Sequence, residues 1–201
     1  SERAAVLGRN IHNEGLPLVY VNQIGGQDEL VFDGSSFSLS HDGKIVQALK
    51  SFVEDYDVAT WVKESGIWIC TKARLEKQLS KHESDWRAIT LGLADYVNKN
   101  NFKSVIIGLS GGLDSAAVAA IAVDALGPDR VWCVMMPSIY TSDDSLGDAQ
   151  LCISSLGCRY DVVSIKPAIE AYEAMFGALF KDQENDLTEE NLQSRARAIV
   201  L

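Results

Sequence analysis

The sequence of 201 residues has little of what marks membrane proteins and nucleic-acid-binding proteins. It contains no apolar run close to the roughly 18 residues of a membrane-spanning helix, and its first residues lack the basic and then apolar pattern of a signal peptide. The 18 Lys and Arg residues are outnumbered by 28 Asp and Glu residues, and a formal net charge of −10 disfavours broad contact with a phosphate backbone. With 47% hydrophobic residues, we expect a soluble, cytoplasmic, globular protein with no membrane and no nucleic-acid partner.

Cysteine is also scarce, and no two cysteines form a C-x-x-C pair. The four cysteines are Cys70, Cys133, Cys152 and Cys158. Cysteines spaced in this way in an intracellular protein are more often reduced and structural than bound to a metal or to each other. We therefore expect four free thiols.

A glycine loop between a strand pattern and a helix pattern is the strongest positive signal, at residues 105–115. The apolar residues from Val105 to Leu109 predict a buried strand. Gly111 and Gly112 let backbone N–H groups approach an anion at the positive end of the following helix. The loop has neither the lysine of a Walker motif nor the G-x-G-x-x-G spacing of a dinucleotide fingerprint. Its pattern, Ser-Gly-Gly-x-Asp-Ser, surrounds the glycines with two hydroxyls and a carboxylate, which predicts a phosphate-binding loop over a plain turn.

The first part of the chain has the pattern of antiparallel or mixed β structure. Short apolar runs between residues 16 and 62 alternate with the pair Gly25-Gly26 and with two Asp-Gly pairs, and such pairs are hairpin signals. A charged stretch follows and predicts a linker over residues 70–84. We therefore place a first domain at residues 1–69 and a second domain at residues 85–201.

The second part alternates helices and strands. The pattern predicts strands at residues 104–109, 131–136 and 160–165, and helices at residues 86–99, 114–126, 142–156 and 168–180. Strands separated by crossover helices indicate a parallel sheet, whose ligands bind at the carboxyl ends of the strands. This arrangement brings the segments 110–115 and 137–145 to one edge of the sheet.

Two further segments, together with the glycine loop, carry a resemblance to a known family. Residues 135–149 (Met-Met-Pro-Ser-Ile-Tyr-Thr-Ser-Asp-Asp-Ser-Leu-Gly-Asp-Ala) follow the second of these strands, and residues 188–197 (Thr-Glu-Glu-Asn-Leu-Gln-Ser-Arg-Ala-Arg) open the last helix. With residues 110–115 they resemble the PP-loop synthetase domain of NAD synthetases. Residues 19–34 resemble the C-terminal part of a nitrilase-like glutamine amidohydrolase domain. The two regions, in this order along the chain, resemble the domain arrangement of glutamine-dependent NAD synthetases.

The resemblance implies an α/β fold class. Its first part would be the C-terminal part of a nitrilase-like α/β sandwich, followed by a Rossmann-like parallel sheet of the adenine nucleotide alpha hydrolase (PP-loop ATP pyrophosphatase) type. It also implies a ligase that adenylates deamido-NAD with ATP and Mg²⁺ and amidates it with ammonia from glutamine, giving NAD, AMP and pyrophosphate. A homo-oligomer is expected, with deamido-NAD at a subunit interface. The Glu-Lys-Cys triad of the glutaminase is expected upstream, because no cysteine precedes Cys70.

The same resemblance implies the site residues. Asp114 is assigned to Mg²⁺, because a carboxylate next to phosphates needs a hard cation between them. Asn191, Arg195 and Arg197 are assigned to deamido-NAD. Replacing the responsible arginine, Arg195 or Arg197, by alanine is expected to weaken deamido-NAD binding and to leave ATP binding nearly unchanged. The residues assigned to ATP are Gly108, Leu109, Ser110, Gly111, Gly112, Leu113, Asp114, Ser115, Pro137, Ser138 and Ser145.

Several of these assignments have simpler alternatives. Asp114 could be a helix N-terminal charge, Ser142 could cap the next helix, and residues 22–28 could be a glutaminase-side loop or the plain hairpin that we favour. The whole chain could belong to another PP-loop amidotransferase or ligase, or it could be a non-catalytic ATP-binding module. Because both ends have the pattern of interrupted elements, we expect an interior piece of a longer protein that is inactive by itself.

Overall fold

The computed structural model describes residues 2–138, 141–176 and 187–201. The chain forms two compact units that divide between Tyr96 and Val97. Within the described ranges, none of the helices is both long enough and apolar enough to cross a membrane.

The first unit combines an antiparallel sheet with two hairpins and flanking helices. In chain order its elements are α1 (Glu2–Glu14), β1 (Leu18–Tyr20), β2 (Ile24–Gln27), β3 (Leu30–Asp33), β4 (Phe37–Leu39), β5 (Ile45–Ala48), β6 (Thr60–Glu64), β7 (Ile67–Lys72) and α2 (Lys81–Lys99). The sheet has the order β1–β4–β5, while β2 pairs with β3 and β6 with β7, all antiparallel. Ala4 and Ile11 of α1 pack with Phe37 and Leu39 of β4 as the core. The predicted antiparallel β structure is confirmed.

The prediction that Gly25-Gly26 forms a hairpin turn is wrong. Both glycines lie inside β2 and pair with β3. The turn consists of Asp28 and Glu29, and Asp28 takes the left-handed conformation with a φ of 51°, which Asp tolerates better than most residues. Residues 24–33 therefore form the favoured hairpin, with its turn three residues later than predicted.

Gly26 is needed for packing against α2. A Cβ at Gly26 would lie 3.1 Å from the Cα of Gly92, so the hairpin and the helix approach each other through two residues without side chains. The Gly26 N–H also donates to Oδ2 of Asp95 at 2.7 Å. A glycine in a strand marks such close approach as often as it marks a turn.

The second unit is built on a parallel sheet with the order β10–β9–β8. In chain order its further elements are β8 (Val105–Leu109), α3 (Leu113–Leu126), β9 (Val131–Met135), α4 (Asp143–Leu156), β10 (Arg159–Val162), α5 (Lys166–Phe176) and α6 (Leu187–Val200). Helices α3 and α4 connect strands that run in the same direction. The predicted α/β fold with a parallel sheet is confirmed, and most element bounds differ from the predicted ones by only a few residues.

One buried hydrophobic cluster of the second unit lies between the sheet and the last two helices. Val134 and Met136, at the end of β9, pack with Ile165, Ile169 and Ala196. All of these side chains are less than a tenth exposed. Helix α6, which carries Ala196, is thus attached to the end of β9.

The four cysteines are free, as predicted. Cys133 is fully buried on β9, with its Sγ 3.9 Å from the Sγ of Cys158. Burial raises the pKa of Cys133 to about 12, so the thiolate is scarce at neutral pH. Cys133 is therefore a core side chain and not a nucleophile.

The segment predicted as a linker is only partly irregular. Strand β7 runs through Lys72 and α2 begins at Lys81, so regular elements take both ends of residues 70–84. Between them Leu75 bridges to Ala48 in parallel orientation, which attaches this segment to β5. The proposed domain boundaries stay a prediction.

Replacing Gly26 by alanine should destabilise the first unit. The new Cβ would lie 3.1 Å from backbone of α2, so hairpin and helix must separate, and overpacking of this kind costs about 1–3 kcal/mol. Thermal unfolding of the intact protein measures the effect. The control is Gly147→Ala in α4, where nothing lies within 4 Å of the added Cβ and alanine favours the helix. Equal melting temperatures for the two variants would contradict the close-packing argument.

Candidate functional site

Two neighbouring strands of the parallel sheet end at the candidate site. Leu109 at the end of β8 pairs with Met135 at the end of β9. The residues that follow these strands therefore leave the sheet side by side. As the sequence predicts, residues 110–115 lie at one edge of the sheet together with the described residues of the segment 137–145, which are 137–138 and 141–145.

Two serines hold the loop between β8 and α3 together. The Ser115 hydroxyl accepts the Ser110 N–H at 3.1 Å and donates to the Gly112 carbonyl at 3.0 Å. The Ser110 hydroxyl lies 3.0 Å from the Ser115 hydroxyl and accepts the Gly112 N–H at 3.2 Å. These bonds set the shape of the loop, and an anion that binds the Gly112 N–H has to replace the Ser110 oxygen.

Gly111 is the point where the loop touches the next segment of the chain. Its φ of 81° lies in the region that favours glycine. A Cβ at this position would lie 2.2 Å from the carbonyl oxygen of Ser145 and 2.9 Å from its Cα. The first turn of α4 therefore packs against the loop through backbone, and Ser145 reaches the site with its main chain.

The N-terminus of α3 is open on the side of the loop. Its N-cap residue, Gly112, is extended and makes no side-chain capping bond, so the first N–H groups of the helix keep their partial positive charge for a ligand. Asp114 is exposed in this first turn. Helix α4 differs, because the Ser142 hydroxyl accepts the Ser145 N–H at 3.2 Å and caps the helix. The capping role of Ser142 is confirmed.

A cavity of about 380 Å³ lies beside the loop. This volume falls within the range of small-molecule sites, about 300–1,000 Å³. The described residues that line it are Gly108, Leu109, Ser110, Met135, Met136, Thr141, Arg197 and Leu201. Among these described lining residues, Arg197 alone carries a charge.

The cavity brings together residues that the sequence assigned to different ligands. Gly108, Leu109 and Ser110 were assigned to ATP, and Arg197 to deamido-NAD, yet they line one space. Of the other four lining residues, Met136 opens the segment 136–138 that the sequence predicts at adenosine, whereas the sequence assigned no ligand to Met135, Thr141 and Leu201. Thr141 had a usable signal in the sequence, because it stands in the segment 135–149 that was already singled out. In the structure its hydroxyl accepts the Ser138 N–H at 2.9 Å. Leu201 had no such signal, since it comes from the opposite end of the unit's sequence.

Ten predicted site residues lie outside the described lining of this cavity, namely Gly111, Gly112, Leu113, Asp114, Ser115, Pro137, Ser138, Ser145, Asn191 and Arg195. The Pro137 carbonyl accepts the Ile165 N–H at 3.1 Å, and Ser138 is held by Thr141. Asn191 and Arg195 are exposed on α6. The side chain of Thr188, at the start of the same motif, lies outside the described part of the structure.

A comparison with protein families identifies the family of the region that contains this site. The family model of NAD synthase matches residues 85–201, which is more than half of the chain. The chain belongs to the NAD synthase family. The matched region begins within α2 and includes the loop, the cavity and α6.

Relatives match this chain beyond that region. It is 43% identical over 199 residues to the glutamine-dependent NAD(+) synthetase of Rhodobacter capsulatus, covering 99% of this chain and 36% of that protein. The corresponding synthetase of Synechocystis sp. is 40% identical, with the same coverage. A solved glutamine-dependent NAD+ synthetase from Acinetobacter baumannii, in complex with ADP, superposes with a TM-score of 0.91 at 36% identity, covering 99% of this chain and 38% of that one. The chain thus spans little more than a third of the length of these relatives.

Replacing Gly111 by alanine should disrupt the loop. Alanine at this φ is strained by about 1–3 kcal/mol, and its Cβ would overlap the Ser145 carbonyl. We expect a lower melting temperature of the intact protein and faster hydrogen exchange in residues 110–116. Gly112→Ala is the matched control, because its φ is −84° and the nearest atom to the new Cβ, Oγ of Ser110, is 3.4 Å away. Similar melting temperatures and exchange for both variants would show that the contact with Ser145 does not shape the loop.

Proposed function

We propose that this chain is part of a glutamine-dependent NAD(+) synthetase, a ligase that converts deamido-NAD to NAD. The observation that carries the proposal is the open N-terminus of α3 behind the Ser-Gly-Gly loop, inside a region that matches the NAD synthase family. The relatives that match almost the whole chain carry this name, and one of them is solved with ADP. ATP is therefore the nucleotide proposed for this site.

The proposed reaction has two steps. A carboxylate oxygen of deamido-NAD attacks the α-phosphorus of ATP, and the bond to the β-phosphate breaks to release pyrophosphate. Ammonia then attacks the activated acyl carbon, loses a proton, and displaces AMP to give the amide of NAD. Backbone N–H donors that are already oriented stabilise negative charge at a low reorganisation cost. The first N–H groups of α3, which have no side-chain cap, and the Gly112 N–H are the donors proposed for the departing pyrophosphate.

The hydroxyls of Ser110 and Ser115 serve the same step. In the closed loop they bind each other and the loop backbone. A phosphate oxygen can take over the Gly112 N–H from Ser110, and the freed hydroxyl can then donate to the phosphate. This exchange keeps the number of hydrogen bonds constant, so phosphate binding does not leave a loop donor unsatisfied.

Asp114 fits a Mg²⁺ that is shared with phosphate. Among the described residues, no group of three or more His, Cys, Asp or Glu side chains could hold a metal ion. Mg²⁺ keeps several waters and is commonly held by one or two carboxylates together with substrate phosphates. Bound in this way, Mg²⁺ would neutralise phosphate charge during adenylation. The exposed carboxylate of Asp114, at the loop, is the ligand that this chain would supply.

Asn191 and Arg195 are proposed as the deamido-NAD residues of α6. They are four residues apart, so they share one face of the helix, and both are exposed. An exposed polar pair suits a ligand at an interface with a second subunit, and we propose a homo-oligomer for this reason. The first unit would be the end of the nitrilase-like domain that supplies ammonia from glutamine.

An assay of the intact protein tests the function. It measures NAD and pyrophosphate from deamido-NAD, ATP and Mg²⁺, with glutamine or with ammonium as the nitrogen source. Activity with both sources supports the proposal. ATP binding without pyrophosphate release would instead indicate a non-catalytic ATP-binding module, and pyrophosphate release only with another acid substrate would indicate a different PP-loop ligase.

The Asp114→Asn variant tests the metal assignment. Because asparagine lacks the charge that Mg²⁺ needs, we expect synthetase turnover to fall at least about 10-fold, with partial recovery at high Mg²⁺. The variant should fold, since Asp114 is exposed. Asp129→Asn is the control. Asp129 is an exposed carboxylate in the turn before β9, so it lies at the end of β9 that is opposite to the candidate site. Normal turnover of Asp114→Asn at limiting Mg²⁺ would refute the assignment.

A further inference from the structure

Arg197 connects the last helix to the end of the central strand. Its Nε donates to the carbonyl of Met136 at 3.3 Å, and its Nη2 lies 3.5 Å from Oε1 of Gln193 on the preceding turn. Met136 directly follows β9 and is only 5% exposed. The arginine therefore reaches from α6 into the interior, where it contacts the backbone that forms one wall of the cavity.

The last turn of α6 completes the cavity around this arginine. Leu201 follows Arg197 by one turn, with its N–H donating to the Arg197 carbonyl at 3.2 Å. A Cβ at Gly108 would lie 3.2 Å from the side chain of Leu201 and 3.0 Å from that of Met136. Both side chains thus lie against the end of β8, and the glycine makes room for them.

The two arginines of α6 point in different directions. They are two residues apart, which is about 200° around a helix of 3.6 residues per turn. Arg195 is exposed, whereas Arg197 is half-buried and lines the cavity. Ala196 and Leu192 on the same helix pack against the core that contains Met136. The direction of Arg197 is therefore fixed by the packing of α6.

We propose that Arg197 is a positioning residue of the ATP cavity and not a ligand of deamido-NAD. This inference rests on the proposed function and reverses the assignment that the sequence suggested. Arg197 holds the Met136 carbonyl directly after β9, at the wall of the cavity beside the loop whose Gly111 packs against the first turn of α4. It also supplies the charge among the described residues that line the cavity, beside the phosphate loop.

The test compares Arg197→Ala with Arg195→Ala in the intact protein. Calorimetry measures the Kd for MgATP without the second substrate, and ammonia-supported kinetics measure the KM for ATP and for deamido-NAD. For Arg197→Ala we expect the Kd and KM for ATP to rise about tenfold or more, because the cavity loses its positive charge and the hydrogen bond that holds the Met136 carbonyl at its wall. The KM for deamido-NAD should stay within about twofold. Arg195→Ala should give the reverse pattern.

Arg197→Lys decides the matter if the alanine variant does not fold. Lysine keeps the charge but lacks the planar, preorganised donors of arginine, so we expect a several-fold weaker affinity for MgATP. An ATP Kd within about twofold of the wild type in the folded variant would overturn the proposal, as would an equal loss for both substrates. Failure of the proposed function is seen separately, because the wild type would then form no NAD while the ATP affinities still test Arg197.

Discussion

The contact between Gly111 and the backbone of Ser145 is the constraint on which the site depends. A single added carbon at Gly111 would lie 2.2 Å from the Ser145 carbonyl oxygen, so the loop after β8 and the start of α4 fit only without a side chain. This contact joins the connections that follow two neighbouring strands. Because those strands are parallel and in register, a small shift of either strand end changes the space between the two connections.

Serine hydroxyls make different kinds of hydrogen bond on the two sides of that contact. In α4, Ser142 caps the helix and satisfies the Ser145 N–H, so the N-terminus of α4 is closed by its own chain. In α3 the capping position is a glycine, and the hydroxyls of Ser110 and Ser115 instead shape the preceding loop. The donors at the start of α3 therefore remain available for an anion, whereas those of α4 are partly satisfied.

Much of the second unit could be predicted because local patterns and tertiary structure agree there. The apolar run from Val105 to Leu109, followed by a glycine loop and an apolar helix, predicts a strand, a loop and a helix, and the structure has all three. The strand is less buried than predicted, because only Leu109 is buried and Ile106 is exposed. The first unit shows where local patterns are ambiguous. A Gly-Gly pair inside a strand and a Gly-Gly pair in a turn look the same in sequence. Here Gly26 lies in a strand and allows the backbone to approach Gly92, a residue far along the chain. Which use a glycine has depends on that distant partner.

The cavity was predicted less completely for the same reason. Gly108 and Ser110 belong to one continuous motif, whereas Thr141 and Leu201 reach the cavity from separate elements. Periodicity indicated that the two arginines of α6 lie on different faces, but it did not indicate which face meets the sheet. That choice follows from Leu192 and Ala196, whose small or apolar side chains pack on the end of β9.

Helix α6 links two proposed sites through one rigid backbone. Its inner face is fixed by Ala196 in the core and by Arg197 on the Met136 carbonyl, so the direction of its outer face is fixed as well. Under the proposed assignment, the outer face binds deamido-NAD with Asn191 and Arg195 while the inner face borders the ATP cavity. A helix moves as a unit because its backbone hydrogen bonds connect successive turns. The packing that sets the direction of the inner face therefore also sets the direction in which Asn191 and Arg195 stand on the outer face.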